Sequence, residues 1–276
     1  MKFFMKQLIL NFYRFIFARA VFYKFNQHLF TLVLRGIGVL NSEGPSVTGE
    51  KYFLEKIISK LNIKTVVDIG ANTGGYCLMI KNRFPSAVIY ACEPHPQTFK
   101  KLKRNIKGKG IYAVNLGFSE KRGRGKLWDF SDDAELKHTQ PTSTLSSLFR
   151  PVIEEIHGQK SQAFNIRITT IDSFVKKMNI KDIDLLIIDT EGSEYKIMEG
   201  AQSVLSADKI KIILFEFNEM NVYSRVFFKD FIDMLPNYNL YRLMSRGLLP
   251  IKKYSPRLHE IFAFQNIVAV NKKIKI

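Results

Sequence analysis

The 276-residue chain reads as an α/β protein with an open, doubly wound sheet and helices on both faces. Three stretches say so. Residues 64–93, KTVVDIGANTGGYCLMIKNRFPSAVIYACE, pass from an apolar β-branched run through a glycine turn and a helix-spaced segment to a second apolar run. Residues 183–188, IDLLII, form a near-continuous apolar run that ends in Asp189-Thr190-Glu191-Gly192-Ser193-Glu194. Lys211 to Phe217 does the same and ends in Glu216-Phe217-Asn218-Glu219. Such unbroken runs suit strands buried on both faces, as in a parallel sheet.

The composition sets bounds. The length allows one α/β domain with a modest extension, and 46% hydrophobic with 24% charged residues is ordinary for a globular protein. Cys77 and Cys92 fall in predicted core elements and offer no disulfide framework, so two reduced thiols in a cytoplasmic protein are expected. The five histidines are scattered, without zinc spacing. A net charge of +17 admits nucleic acid, an anionic membrane surface or an acidic substrate as partner. It equally admits a lysine-rich surface with no partner.

Residues 1–42 contain no Asp or Glu but carry Lys2, Lys6, Arg14, Arg19, Lys24 and Arg35 among many aromatics. Their uncharged stretches fall short of the roughly 20 apolar residues of a bilayer span. They also lack the apolar centre and cleavage site of a secretory signal. One or two basic helices are expected, capping the domain, making a dimer contact or lying in a membrane interface. The turn-rich Asn41-Ser42-Glu43-Gly44-Pro45-Ser46 predicts a boundary, with an extension over 1–45 and the main domain over 46–276.

A helix from about Gly49 to Lys60, with Phe53, Ile57 and Ile58 inward, precedes the first βαβ unit. After Glu93, Pro94 and Pro96 frame a helix over Thr98–Lys107 with Phe99, Leu102 and Ile106 inward and a basic outer face. Ile111 to Leu116 is a third strand with Gly117-Phe118-Ser119 at its tip, and Lys126 to Phe130 a further short one. Residues 131–163 read as irregular and include the polar cluster Pro141-Thr142-Ser143-Thr144-Leu145. Long loops in α/β domains often act as lids, so Ser143 and Thr144 are candidate substrate contacts. Ile166–Thr170 and a helix over Asp172–Met178 lead to the acidic strand tip, and Ile197, Met198, Ala201, Val204 and Leu205 give the next helix its buried side. A helix over Phe227–Leu235 and strands Tyr238–Leu243 and Ile261–Val270, around Gly247-Leu248-Leu249-Pro250, complete the chain.

The glycine turn points to a nucleoside cofactor. Glycines permit a tight turn and close approach of a ligand, and the helix behind offers free N–H groups. Glu93, about 20 residues on, stands where a carboxylate accepts hydrogen bonds from ribose hydroxyls. A dinucleotide calls for G-x-G-x-x-G, but Asn72 takes the middle glycine's place and Asp68 opposes a phosphate. An acid there suits a ligand with an ammonium and a sulfonium, which selects S-adenosylmethionine over NAD. Ligands in open α/β sheets bind beyond the carboxyl ends of the strands, so Phe118 is expected as an apolar wall for the adenine and Ser119 as a polar contact.

Asp189, Glu191 and Glu194 crowd one strand tip, which is costly unless a cation or a proton is shared among them. Helix capping explains some of these acids but not all. They are therefore candidates for catalysis, with Glu216 behind them.

Val67-Asp68-Ile69-Gly70-Ala71-Asn72-Thr73-Gly74-Gly75-Tyr76, Glu93-Pro94, Thr170-Ile171-Asp172-Ser173-Phe174 and Ile188–Glu194 together resemble the FkbM-type S-adenosylmethionine-dependent methyltransferases. Met198-Glu199-Gly200-Ala201, Phe215-Glu216 and residues 34–41 fit as well, so the likeness covers roughly residues 34–270. It implies a class I, Rossmann-like methyltransferase sheet of seven strands, the last antiparallel, behind the N-terminal helical extension. It also implies methylation of a hydroxyl, commonly on a sugar of a glycan, polysaccharide or natural product. The expected cofactor set is Asp68, Gly70, Asn72, Gly74, Tyr76, Glu93, Pro94, Gly117, Phe118, Ser119 and Asp189. A sugar hydroxyl needs help to lose its proton, from a base or from a divalent ion such as Mg²⁺, and Asp189 and Glu191 are candidates for either role.

Other readings are a nucleic-acid methyltransferase, an NAD oxidoreductase and a non-catalytic, membrane-associated nucleotide-binding protein. The first fits the charge, but the Asn/Asp-Pro-Pro-aromatic tip usual in amino-methylating enzymes is replaced by Asp189-Thr190-Glu191-Gly192. The second conflicts with Asn72 and Asp68. The third gives no reason for so many acids at strand tips.

Overall fold

The buried β-branched run of strand β1 (Thr65–Ile69) is the middle of the molecule, flanked in parallel by β2 (Val88–Cys92) and β7 (Ile183–Ile188). The computed structural model describes residues 2–131, 146–156 and 158–276. Outward from β2 lies β3 (Ile111–Val114), and outward from β7 lies β8 (Ile210–Phe217), both parallel. Strand β11 (Gln265–Asn271) then runs antiparallel between β8 and β9 (Tyr238–Met244). The order is β10-β9-β11-β8-β7-β1-β2-β3. This is the expected seven-stranded sheet with the last of the seven antiparallel, plus an eighth strand, β10 (Gly247–Pro250), folded back on β9 at the edge.

Alternate side chains feed two cores, the period-2 consequence of a pleated strand. Val66, Leu185, Ile187, Ile212 and Leu214 pack with Phe53, Cys77, Ile80 and Leu102 on one face. Val67, Ile69, Leu186, Ile188, Ile213 and Phe215 pack with Phe174, Ile197, Met198 and Phe231 on the other. The first face is covered by a helical segment, α3 (Glu50–Tyr52) continued as a π-helical turn over Phe53–Ile57, and by α4 (Gly75–Arg83) and α5 (Pro96–Asn105). The second is covered by α6 (Ile171–Lys177), α7 (Glu194–Glu199), α8 (Gln202–Ser206) and, beyond α9 (Met220–Ser224), α10 (Phe228–Met234).

Local chemistry fixes where these helices start. Pro96 opens α5, and the His95 ring Nδ1 accepts the Thr98 N–H at 3.3 Å. The Thr170 hydroxyl accepts the Ser173 N–H at 3.1 Å, and the Asp172 carboxylate accepts the N–H groups of Ser203 and Val204, both at 3.0 Å. Thr170-Ile171-Asp172-Ser173-Phe174 is thus a structural motif: a cap, two core side chains and a clasp on α8.

One expectation is corrected. The stretch expected to be irregular from 131 to 163 is bordered by a second sheet, β4-β6-β5. Here β5 (Gly123–Phe130) and β6 (Ser161–Thr169) form a long antiparallel pair, and β4 (Gly117–Phe118) adds a parallel edge. Just before the turn at residues 41–46 the chain already touches the main sheet region. Leu34 and Val39 are buried, the Leu40 N–H reaches the Phe264 carbonyl at 2.8 Å, and Arg242 donates to the Ile37 carbonyl at 3.2 Å. The extension is a helical hairpin, α1 (Lys2–Phe17) and α2 (Tyr23–Gly36), and Leu34 is the first buried side chain among the described residues.

Candidate active site

The carboxyl ends of β1, β2 and β7 open on a common cavity lined by Gly70, Asn72, Glu93, Pro94, Gly117, Phe118, Asp189, Thr190 and Glu191, among others. A second, more polar recess continues it past Asp68, Tyr76, Glu216 and Glu50. Gly70 makes the junction possible. Its φ is 89°, and a Cβ there would lie 1.7 Å from the Asp189 carbonyl oxygen. The turn is stitched to the next strand by the N–H groups of Gly70 and Ala71, both donating to the Cys92 carbonyl at 3.0 Å.

Glu93 is locked in place at the tip of β2. Its Oε2 accepts the Asn72 N–H at 3.0 Å and its Oε1 the His95 N–H at 2.7 Å. Burial pushes its pKa up to about 7 against the pull of those two donors. Asp68 is also raised to about 7 by burial, with the Cys77 thiol donating to Oδ2 at 2.9 Å and lowering it. Asn72 adopts φ 47°, and its buried Oδ1, like the buried Tyr76 hydroxyl, has no partner among the described residues. Two orphaned polar atoms beside two carboxylates make this recess a built receptor for a cationic, hydrogen-bonding ligand.

The acids of the β7 tip separate into different jobs. The Asp189 side chain opens onto the cavity although protein surrounds it, and enclosure with the neighbouring Glu194 charge raises its pKa to about 6. A hydrogen bond with Glu216 opposes that rise. Glu216 is pushed well above the usual range by burial and then by the Asp189 and Glu191 charges. Glu191, at φ 52°, is likewise pushed well up by enclosure and by Asp189. Glu194 does something else. Its Oε1 accepts from the Thr190 N–H at 3.0 Å, the Thr190 hydroxyl at 3.0 Å and the Gly192 N–H at 3.2 Å. It is a loop clasp and lines neither cavity. Among the described residues, no group of three or more His, Cys, Asp or Glu side chains is arranged to hold a metal ion.

Of the remaining expected residues, Pro94, Gly117 and Phe118 line the cavity, and Tyr76 lines the recess. Gly74 faces away, where a Cβ would meet Leu102 at 2.7 Å and Ile106 at 2.9 Å, so it serves helix packing. Ser119 is in neither lining, and its hydroxyl donates to Glu120. Ser143 and Thr144 lie outside the described residues. The sequence reading missed Glu50 and Asn266 in the recess, and the wall of Leu127, Leu148 and Ile166 supplied with the second sheet. It also missed His95, whose Nε2 lies 3.2 Å from the buried Asp129 carboxylate and so faces the second sheet. A helix running into the sheet's carboxyl end was the one available hint for Glu50.

Residues 68–243 match the methyltransferase FkbM domain, more than half of the chain. The chain belongs to the FkbM methyltransferase family. As an FkbM protein it carries an S-adenosylmethionine-dependent methyltransferase domain, and the turn, Glu93 and the acids of the β7 tip all fall within the matched residues. It is 23% identical over 151 residues to Methyltransferase 1 of Beauveria bassiana, covering 49% of this chain and 57% of that one. To methyltransferase sdnD of Sordaria araneosa it is 24% identical over 153 residues, covering 49% and 59%. The FkbM chain thus spans less than three fifths of the length of these curated relatives. An O-methyltransferase from Bacillus cereus with bound SAH aligns over 95% of this chain and 96% of its own, at 9% identity and a TM-score of 0.42. Precorrin-6y C5,15-methyltransferase of Geobacter metallireducens aligns over 84% and 92%, at 11% identity and a TM-score of 0.44.

Proposed function

We propose that the protein transfers a methyl group from S-adenosylmethionine to a hydroxyl oxygen, with a sugar hydroxyl of a glycan, polysaccharide or natural product as acceptor. The observation that carries this reading is Asp189, an acid with its pKa near 6 that opens onto the cavity from the β7 tip. At neutral pH it is ionised and can accept a proton, and a hydrogen bond with Glu216 holds it in place. The cofactor, when bound, supplies a methyl group on a cationic sulfur. Everything else falls to the protein. Asp68 and the unpartnered Asn72 and Tyr76 oxygens receive the amino-acid end, and Glu93 receives the ribose hydroxyls. Phe118, Leu127 and Ile166 give the base an apolar wall. Asp189 takes the acceptor's proton, and Glu191 on the same tip orients the hydroxyl in line with the transferring group.

The test is methyl transfer from labelled cofactor to a panel of sugars and polyols, with RNA and DNA as the rival acceptors. Asp189→Asn should lower kcat on the best sugar acceptor by about 10²–10⁴, the usual worth of a general base. Glu191→Gln should act chiefly on the acceptor KM. Full activity in both variants removes the base; preference for nucleic acid removes the acceptor class. Lost turnover in a chelator, restored by Mg²⁺, would reassign Asp189 and Glu191 to a metal.

A further inference from the structure

The α1–α2 hairpin is an exposed apolar surface set in positive charge. Of the twenty-four exposed large apolar side chains among the described residues, fifteen come from residues 4–33. On α1 they are ordered. Phe4, Met5, Leu8, Ile9, Phe12 and Phe15 recur at helical spacing along one face and are between 55% and 75% exposed. Lys6, Gln7 and Arg14 lie off that face by the same spacing, on the side that also carries the less exposed Leu10 and Tyr13. On α2, Phe25, Leu32 and Val33 are at least half exposed, while Lys24, His28 and Arg35 share the polar side. The hairpin has a definite shape: Phe17 contacts both Phe22 and Phe25, and Asn26 joins Tyr13 to the Phe17 carbonyl.

The charge identifies the occupant. Residues 1–42 hold six Lys and Arg and no acid, and among the described residues no carboxylate pairs with Lys6, Arg14, Arg19 or Lys24. A second copy docking face to face would bring these positive flanks together, since an isologous contact pairs a patch with itself. Crossing a bilayer is excluded by length. Sixteen residues extend about 24 Å, against about 30 Å of hydrocarbon, and no described helix is long and apolar enough to span. An apolar stripe with aromatic side chains and basic flanks matches a helix lying in the plane of an anionic interface.

We propose that the α1–α2 hairpin docks the protein on an anionic lipid bilayer, Phe4, Leu8 and Phe12 entering the acyl boundary and Lys6, Arg14 and Lys24 meeting the headgroups. This surface is separate from the methyl-transfer cavity. The test is co-sedimentation of the full chain with vesicles of phosphatidylcholine alone or mixed with phosphatidylglycerol. The native protein should bind the mixed vesicles about tenfold or more tightly than the neutral ones, and lose that preference in high salt. Phe4→Asp/Leu8→Asp/Phe12→Asp and Lys6→Glu/Arg14→Glu/Lys24→Glu should each lose about tenfold or more on mixed vesicles while keeping native S-adenosylmethionine binding. The charge variant retains the whole apolar face, so its loss cannot come from a disrupted α1 stripe. Equal binding to both vesicle types, or no loss in either variant, overturns the proposal. So does absence of vesicle binding together with a concentration-dependent dimer that the aspartate variant dissolves, which would assign the hairpin to a second copy.

Discussion

Gly70 and Glu93 decide between them whether the cofactor turn exists. The Cβ of any other residue at Gly70 would strike a strand-tip carbonyl, and that atom belongs to backbone, so relief requires moving β1 against β7. Gly70→Ala should cost at least about 2 kcal/mol of stability and abolish S-adenosylmethionine binding, read by urea unfolding and calorimetry. A stable variant that binds normally would show that the turn can re-form. At this scale the sequence was informative where geometry is local. Spacing alone placed Glu93 beside the turn, and glycine and acid together defined the recess. It was misleading where several acids share one loop. Glu191 and Glu194 look equivalent in sequence, yet the left-handed backbone at Glu191 leaves its side chain at the cavity while Glu194 turns back on Thr190 and Gly192. Nothing short of the folded loop separates them. Gly74 and Ser119 make the same point, since a residue's place in a motif does not show that a Cβ at 74 would meet Leu102 or that the Ser119 hydroxyl bonds Glu120.

The second sheet is the element that walls the cavity opposite the β7 tip, with Leu127 and Ile166 in its lining. It meets the β7 tip through Ser147, whose hydroxyl donates to the Glu191 carbonyl at 2.7 Å and accepts the Phe149 N–H at 3.1 Å, while its backbone bridges to Trp128. Ser147→Ala removes a buried hydroxyl worth about 1 kcal/mol and leaves two groups unpaired. We expect it to raise the acceptor KM several-fold with cofactor affinity unchanged, measured by steady-state kinetics beside cofactor titration. A shift in cofactor affinity alone would place the joint's effect elsewhere. This element was hard to read in the sequence. The segment Gly123-Arg124-Gly125-Lys126 carries no apolar alternation, and β6 is only partly covered, so the hydrophobic pattern that marks β1, β7 and β8 is absent. Those central strands were legible because burial on both faces leaves one pattern open to them. β10, exposed at the edge over Leu249 and Pro250, was not.

The molecule as a whole stores carboxyl groups in a dry interior despite its formal charge of +17. Burial carries Asp68 from 3.8 and Glu93 from 4.5 to about 7 in the folded chain. A raised pKa means that the fold favours the protonated form. The stabilisation is therefore complete below about pH 4 and is lost as pH rises through 7. For Asp68 it amounts to at most about 4 kcal/mol. The melting temperature of the unliganded protein should fall between pH 5 and pH 8, and Asp68→Asn, which cannot ionise, should flatten the fall in scanning calorimetry. An equal fall in native protein and variant would remove Asp68 as its source.

The second sheet has one more consequence. Its strands and the segment that joins them come from a single unbroken stretch, residues 117–169, entered from β3 and left into α6. Asp68, Gly70, Asn72, Glu93, Asp189 and Glu191 lie outside that stretch, while Gly117, Phe118, Leu127 and Ile166 lie within it and line the same cavity. Drift confined to this one cassette can therefore reshape one wall of the cavity while the turn, Glu93 and the acids of the β7 tip stay as they are, so that a lineage can vary the shape of the pocket without rebuilding its floor.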